Sequence, residues 1–132
     1  MIGLDTNTLL RLVIEDDADQ AAQVRAAVHR AAASGLRCWV NRIALVEFVW
    51  VLESVFRKSR QDICGYLVRV LNNEALAVED EDAARSALHA YEGGPIDFSD
   101  ALIAVTNRTH GCSTTLTFDR KAARLADFQL LT

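Results

Sequence analysis

Four acidic side chains could perform metal-dependent chemistry if the fold brought them together. They are far apart in the sequence: Asp5, Glu47, Asp100 and Asp119. Carboxylate oxygens are the ligands that hard cations such as Mg²⁺ and Mn²⁺ prefer. A cation held in this way lowers the pKa of a bound water and holds the oxygens of a phosphodiester in line. The four acids therefore predict a hydrolytic metal site for phosphodiester bonds, with no need for a separate histidine base.

Glu47 is the most informative of the four, because it is the only charged residue in an apolar run, residues 43–52. Such a run predicts a helix that is buried on most sides. An ionised carboxylate is rarely buried without a partner, and no lysine or arginine lies at helical spacing from Glu47. We therefore expect Glu47 to be buried, with either a divalent cation or a distant arginine as its partner.

The other three acids each have a structural explanation that the sequence leaves open. Asp5 could serve a turn or cap a helix. Asp100 follows Asp97 by three residues, which resembles a capping box, and Asp119 could cap a helix of its own. The order and spacing of the whole set favour the metal site, with Asp97 as a helix cap and an auxiliary group. If the carboxylates meet, their repulsion without a cation should make some of them take up protons at neutral pH.

Three further polar residues, Asn7, Thr115 and Thr117, lie close in sequence to these acids. Their side chains could hydrogen-bond a ligand carboxylate or the attacking water, as residues around a metal site commonly do. Ordinary turn or strand hydrogen bonding is the alternative for each of them. The histidines are not spaced as zinc ligands, and the sequence contains no glycine-rich phosphate loop.

Short apolar strands alternate with helices along the chain. The strands are expected at residues 1–4, 37–40, 76–78, 113–117 and 128–131. The helices are expected around Glu47 and at residues 6–13, 19–33, 59–71, 80–91 and 98–109, with N-caps at Thr6, Asn41 and Asp97. This alternation predicts an α/β fold with a parallel sheet that helices cover on both faces. Ligands of such sheets bind beyond the carboxyl ends of the strands, which is where Asp5 and Asp119 are expected.

The composition fits one domain, residues 1–132, with a sizeable core, since 51% of the residues are hydrophobic. Three unclustered cysteines are expected to be small, reduced core residues. No segment approaches the ~20 apolar residues of a membrane span, and the first residues do not resemble an export signal, so we expect the cytoplasm. The net charge of −4 argues at first sight against a nucleic-acid partner, but bound cations would offset much of it.

Four segments of the chain resemble the motifs of PIN domains, and within that family those of VapC-type toxins from bacterial toxin–antitoxin pairs. The segments are residues 2–11, the helix around Glu47, residues 96–104 and residues 117–121. They occur in the order of the family and span nearly the whole chain, and the Asp-Ala-Leu-Ile-Ala pattern aligns Asp100 with the third acid. The resemblance implies a three-layer α/β/α sandwich with a central, mostly parallel sheet.

The same resemblance implies an endoribonuclease that depends on Mg²⁺ or Mn²⁺, with the four acids as its ligands. It also implies a homodimer and a cognate antitoxin that blocks the site. Trp39, Trp50 and Phe56 could supply exposed apolar surface for these partners, although burial in the core is favoured. RNA phosphates could be held by five basic residues that flank the motifs, with solvated surface charge as the alternative: Arg11, Arg42, Arg108, Arg120 and Lys121.

Two other interpretations are open at this point. A phosphohydrolase of the haloacid-dehalogenase type also has an aspartate after its first strand, and Asp5 would then be the nucleophile. That family requires a second acid two residues later, where this chain has Asn7, and a suitably placed lysine, of which only Lys58 and Lys121 exist. The other interpretation is a non-catalytic binding module, in which the acids serve folding or partner docking.

Overall fold

All five strands of the chain pair in parallel, as the alternation of strands and helices predicts. The computed structural model describes all 132 residues, which form six α-helices, five short strands and one 3₁₀ turn. This architecture confirms the expected α/β class with parallel strands. None of the helices combines the length and the apolar character that crossing a membrane requires.

The chain divides into two compact units, Met1–Glu81 and Asp82–Thr132. The elements of the first unit are β1 (Ile2–Gly3), α1 (Thr6–Val13), α2 (Ala18–Ala33), β2 (Cys38–Val40), α3 (Arg42–Ser54), α4 (Arg60–Asn72) and β3 (Leu76–Val78). Its strands form one sheet in the order β1-β2-β3, with Cys38 in register with both Ile2 and Leu76. Because β1 and β2 lead directly into α1 and α3, both helices start at the carboxyl edge of this sheet.

Side-chain caps start these two helices. Asn41 caps α3 as predicted, since its side-chain oxygen accepts a hydrogen bond of 2.8 Å from the backbone N–H of Ala44. At α1 the cap is Asp5 and not the predicted Thr6, because the Asp5 carboxylate accepts from the backbone N–H of Thr8 at 2.9 Å. A carboxylate is well suited to this place, since it also interacts favourably with the helix dipole.

The core of the first unit lies where α3 packs against α1 and α4. Leu9 of α1, Phe48 and Leu52 of α3 and Leu67 of α4 are fully buried. Phe48 and Leu52 are four positions apart and lie on one stripe of α3, as expected for an amphipathic helix. The opposite side of α3 includes large apolar side chains that are exposed.

The aromatic residues that the sequence assigned to the core differ in burial. Trp39 and Phe56 are half-buried, whereas Trp50 keeps 61% of its surface exposed. Ile43, seven positions earlier and therefore on the same side of α3, is 69% exposed. The expected burial of Trp50 is wrong, because an apolar sequence does not bury a helix all round when packing partners exist on one side only.

The second unit comprises nearly all of α5 (Glu81–Gly93), with α6 (Phe98–Thr109), β4 (Thr115–Thr117), the 3₁₀ turn (Ala122–Arg124) and β5 (Phe128–Leu130). β4 and β5 form a two-stranded parallel sheet. Tyr91 of α5 and Phe98 of α6 are fully buried, and their rings meet edge to face with centroids 6.0 Å apart. This contact anchors the start of α6, the helix that contains Asp100.

All three cysteines are free, as expected for reduced side chains. Cys38 is buried in β2 and Cys64 is half-buried, but Cys112 is exposed. The expected core position is therefore wrong for Cys112, which follows the end of α6 in a turn at Gly111, where φ is +90°. Such a turn lies at the surface, because loops have few means to satisfy buried backbone groups.

Candidate metal centre

Three carboxylates of the second unit form a cluster. Asp97, Asp100 and Asp119 can each offer one oxygen such that these three atoms lie within 4.8 Å of one another. All three residues are half-buried. Asp97 and Asp100 belong to the start of α6, and Asp119 follows the carboxyl end of β4. Two of the four predicted ligands, Asp100 and Asp119, are thus together in this unit, and Asp97 joins them.

Asp97 occupies the N-cap position of α6 as predicted, but its side chain caps nothing. No side-chain hydrogen bond joins Asp97 to the first turn of the helix, so the capping-box explanation for Asp97 and Asp100 is wrong. One carboxylate oxygen of Asp97 lies 3.9 Å from the ammonium group of Lys121. The Asp97 carboxylate therefore faces a cation of its own chain, and its oxygens are not committed to the backbone.

The electrostatics of the cluster are those of crowded carboxylates. Burial, together with the charges of Asp97 and Asp119, raises the pKa of Asp100 above its usual value. The positive charge of Lys121 offsets only part of this effect. A raised pKa is the behaviour expected when neighbouring carboxylates lack a neutralising cation. A hard divalent cation fits this donor set, because oxygen is the only ligand atom that the cluster offers.

Asp119 has a structural role that leaves part of its carboxylate free. Its Oδ1 accepts hydrogen bonds from the backbone N–H groups of Lys121 at 2.8 Å and Ala122 at 3.4 Å. These bonds form a turn ahead of the 3₁₀ helix, whose N-cap position is Lys121, so the prediction that Asp119 caps this helix is wrong. The hydroxyl of Thr117 accepts a hydrogen bond of 2.9 Å from the backbone N–H of Asp119. Oδ1 is therefore held in place, and Oδ2 is left for a ligand.

Thr115 and Thr117 differ in what they support. Thr117 orients the backbone of Asp119, as described above. Thr115 instead accepts a hydrogen bond of 3.0 Å from the side-chain amide of Asn107 on α6. Thr115 thus ties β4 to the helix that contains Asp100, which is a structural contact and not a contact with a carboxylate.

The other two predicted ligands are linked within the first unit. Asp5 caps α1, and its hydrogen bond with the backbone N–H of Thr8 lowers the pKa of its carboxyl group. The next residue, Thr6, donates from its hydroxyl to Oε1 of Glu47 at 3.3 Å. Since α1 and α3 pack against each other, this bond connects the start of α1 to the side chain of Glu47. Sequence reasoning missed this role of Thr6, for which its position beside Asp5 was the only signal.

Glu47 is exposed, so the prediction that it is buried is wrong. The physical reason lies in the two sides of α3. Glu47 lies on the same side as the exposed Ile43 and Trp50, four positions after one and three before the other, and Phe48 points into the core. The partner of Glu47 is the hydroxyl of Thr6 and not a distant arginine, so that alternative is also wrong. Glu47 faces solvent, and Thr6 engages only one of its two carboxylate oxygens.

Two of the basic residues proposed as phosphate ligands pair with acids of their own unit. The guanidinium of Arg42 donates to Glu79 at 2.9 Å, and the Arg42 backbone N–H donates to the same carboxylate at 3.0 Å. These bonds lower the pKa of Glu79. Arg108 pairs with Asp127 at 2.5 Å. Both arginines therefore make structural contacts. Arg42 ties the start of α3 to Glu79, and Arg108 ties α6 to the residue before β5.

The other three basic residues lie close to the acids or to the helix that Asp5 caps. Lys121 lies beside Asp97, and Arg120 is exposed next to it in the sequence. Arg11 pairs with Asp16 at 2.9 Å and lines a cleft that also contains Asn7. These positions were predicted because they flank the acidic motifs, but their partners were not, because the fold determines which charged side chains meet.

Comparison with known proteins gives a match that spans both units. The family model described as PIN domain matches residues 2–128. Among curated proteins, the chain is similar to a VapC ribonuclease of Aquifex aeolicus (strain VF5), with 25% identity over 122 residues, 92% of this chain and 90% of that protein. No solved structure gives a significant match.

Proposed function

The chain belongs to the PIN domain family, and from this premise we propose that it is an endoribonuclease dependent on Mg²⁺ or Mn²⁺. The observation that supports this most strongly is the cluster of Asp97, Asp100 and Asp119, whose oxygens lie within 4.8 Å of one another. The similarity to a protein named VapC ribonuclease supports RNA as the substrate. We further propose that the chain is the toxin of a toxin–antitoxin pair.

We assign Asp5, Glu47, Asp100 and Asp119 as the ligands of one metal centre, with Asp97 as an auxiliary group. The assignment requires the acids of both units to meet, which makes residues 1–132 a single functional domain. Two facts support it. Asp5 follows β1 of the three-stranded sheet and Asp119 follows β4 of the two-stranded sheet, so each lies beyond the carboxyl end of a parallel strand, where such sheets bind ligands. The PIN domain match also spans both units.

The chemistry of hydrolysis fits these groups. Mg²⁺ or Mn²⁺ held here would lower the pKa of the attacking water and stabilise charge on the phosphodiester. The chain itself supplies anionic oxygens and their orientation. Thr6 fixes one oxygen of Glu47, and backbone N–H groups fix one oxygen of Asp119. Because these supports use one oxygen each, the remaining oxygens can serve a cation without loss of orientation.

The exposed side of α3 supports the proposed partners. Trp50 and Ile43 are more than half exposed on the side of α3 that also presents Glu47. Large exposed apolar side chains commonly mark a protein interface. We propose that an antitoxin covers this side and thereby blocks Glu47, that the chain forms a homodimer, and that it acts in the cytoplasm, where its RNA substrate is found.

Cleavage of RNA by conservative variants tests the proposed function. Glu47→Gln and Asp100→Asn each remove a charge with little change in size, and each should reduce Mn²⁺-dependent cleavage at least about a hundredfold. Glu92→Gln is the matched control, since it makes the same change at an exposed helical position outside the proposed centre, and its activity should equal that of the wild type.

The wild-type protein must first be purified free of any antitoxin and assayed with Mn²⁺ and with EDTA. If all RNAs stay intact with Mn²⁺, the proposed enzyme is wrong and a non-catalytic binding module is favoured. If Glu92→Gln loses as much activity as Glu47→Gln, the effect is not specific to a metal ligand. Circular dichroism of each variant separates these outcomes.

A further inference from the structure

A polar cleft of about 270 Å³ lies between α1 and α2 in the first unit. Its size is just below the ~300 to 1,000 Å³ of pockets that hold drug-sized ligands, so it suits a small planar group. Its lining is almost entirely polar, with one apolar residue, Val24: Asp5, Asn7, Thr8, Arg11, Gln20, Gln23 and Val24. Asp5 belongs both to this lining and to the proposed metal centre, so the cleft adjoins the proposed centre.

The spacing along both helices explains why these residues face one another. Asn7 and Arg11 are four positions apart on α1, and Gln20 and Gln23 are three positions apart on α2. Such pairs share one face of a helix, and α1 and α2 pack against each other. The cleft is therefore built from regular helices, which position side chains more rigidly than loops do.

Arg11 is held in place at the wall of the cleft. Its Nε donates to Oε1 of Gln20 at 2.7 Å, and its Nη1 donates to Oδ1 of Asp16 at 2.9 Å. A guanidinium has five N–H donors, so three are left for a ligand. Because the Arg11 side chain is already ordered, a ligand that binds it pays a smaller cost in side-chain conformational entropy.

Two amides of the lining are available to a ligand. Asn7 and Gln23 are exposed, and neither side chain has a hydrogen-bond partner within the chain. An amide offers a donor and an acceptor side by side, which matches the edge of a nucleobase in a bidentate contact. Single-stranded RNA presents such edges on bases that have left their stack.

The charges of the cleft favour an uncharged base over a phosphate. The only cation of the lining is Arg11, and Asp16 already neutralises it. Asp5 adds a negative charge at the rim. A phosphate in the cleft would therefore meet two carboxylates and one cation, whereas the edge of a base carries no net charge and loses nothing to this repulsion.

We propose that this cleft binds one unstacked base of the RNA substrate, next to the phosphodiester that the metal centre cleaves. The proposal rests on the proposed function for the identity of the nucleic acid. Gln23 and Asn7 read the edge of the base, and Arg11 supplies further donors. These residues thus set which base may flank the cleavage site, and they contact the substrate without touching the metal.

Binding of short single-stranded RNAs to the whole chain tests the proposal without relying on cleavage. Fluorescence anisotropy is measured in Ca²⁺, with gel analysis to verify that the RNAs stay intact, for oligonucleotides that differ in one base. The wild type should prefer at least one base. Gln23→Ala should weaken binding of the preferred RNA about tenfold and remove the preference. Gln61→Ala, an exposed glutamine of α4 outside the cleft, should bind as the wild type does.

The outcomes separate this proposal from the proposed function. If Gln23→Ala keeps both affinity and preference, the cleft is not a base site. If it keeps its RNA affinity but changes the oligomeric state in sedimentation, the cleft serves a protein contact and the proposal is wrong. If the wild type and the variant behave as expected here but Mn²⁺ gives no cleavage, the base site stands and the nuclease does not. A wild type that binds no RNA overturns both.

Discussion

The hydroxyl of Thr6 donates a hydrogen bond of 3.3 Å to Oε1 of Glu47, across 41 positions of the sequence. Thr6 is the first residue of α1, directly after Asp5, and Glu47 lies in the second turn of α3. An exposed glutamate normally samples many rotamers, which costs entropy when it must bind a ligand. This bond restricts Glu47 to the side of α3 that faces the start of α1, where Asp5 lies.

Removing this hydroxyl should reduce activity while the fold persists. Thr6→Val has nearly the same shape but cannot donate to Glu47, so the carboxylate loses its fixed orientation. We expect kcat/KM for RNA cleavage to fall about three- to tenfold, the equivalent of one ordinary hydrogen bond. Thr6→Ser restores the donor and should recover most of the activity. Wild-type activity in Thr6→Val together with a loss in Thr6→Ser would show that the methyl group, not the hydroxyl, is what matters.

The raised pKa of Asp100 predicts how the metal-free protein responds to pH. The folded state holds this proton more tightly than the unfolded chain does. The free energy of unfolding therefore falls as the pH rises from the ordinary carboxyl pKa through the raised one. Below the ordinary pKa the group is protonated in both states, so it no longer lowers the free energy of unfolding. Stability lost at neutral pH is thus expected to return on mild acidification.

Asp100→Asn should accordingly stabilise the metal-free protein at neutral pH. Neighbouring like charges cost a few tenths of a kcal/mol, which corresponds to about 1 to 2 °C in Tm for a chain of this size. Thermal unfolding in EDTA across a pH series measures the difference, which should shrink toward acidic pH. Asp62→Asn, in the exposed first turn of α4, should give no gain. A lower Tm for Asp100→Asn at neutral pH would contradict the crowding of the three carboxylates.

Lys121 should compete with a metal ion for the cluster. Its ammonium group lies 3.9 Å from Asp97 and lowers the pKa of Asp100. Lys121→Met keeps the aliphatic stem and removes the charge, so Mn²⁺ affinity measured by calorimetry should rise, at most about fivefold for a partly exposed pair. Lys58→Met removes the other lysine of the chain and should leave the affinity unchanged. A weaker affinity in Lys121→Met would mean that Lys121 orients the carboxylates instead.

Trp50 should contribute to antitoxin binding more than to catalysis. Its side chain is 61% exposed on α3, three positions after Glu47, and buried tryptophans are frequent hot spots of interfaces. Trp50→Ser should weaken binding of the protein encoded by the neighbouring reading frame at least about tenfold, with RNA cleavage nearly unchanged. Val68→Ser, on the exposed side of α4, is the control. Full inhibition of Trp50→Ser by that partner would contradict this assignment.

Much of the fold could be predicted because its signals are local. The cap at Asn41, the helix from Phe98 to Thr109 and the strand from Leu76 to Val78 appear as expected, since turn residues and hydrophobic periodicity determine such elements. The parallel pairing follows from the alternation of strands and helices. These features depend on neighbours in sequence, which the sequence displays directly.

The parts that could not be predicted depend on contacts between distant residues. Glu47 was expected in the core, but only one side of α3 has packing partners, and the exposed side includes Trp50. Asp97 was expected to use its side chain as a cap, yet it faces Lys121. An apolar run does not indicate which side of a helix is buried. The residue type at a cap position likewise does not indicate whether a cation competes with the backbone for its side chain.

The proposed metal centre requires Asp5 and Glu47 to meet Asp100 and Asp119 at one cation. Anomalous diffraction from crystals soaked in Mn²⁺ tests this directly, because the anomalous signal locates the metal independently of any activity. We predict a peak whose ligand distances of about 2.0 to 2.3 Å include oxygens of Asp5 and of Asp100. A peak bound only by the acids of one unit, or no peak at these residues, would contradict the shared centre.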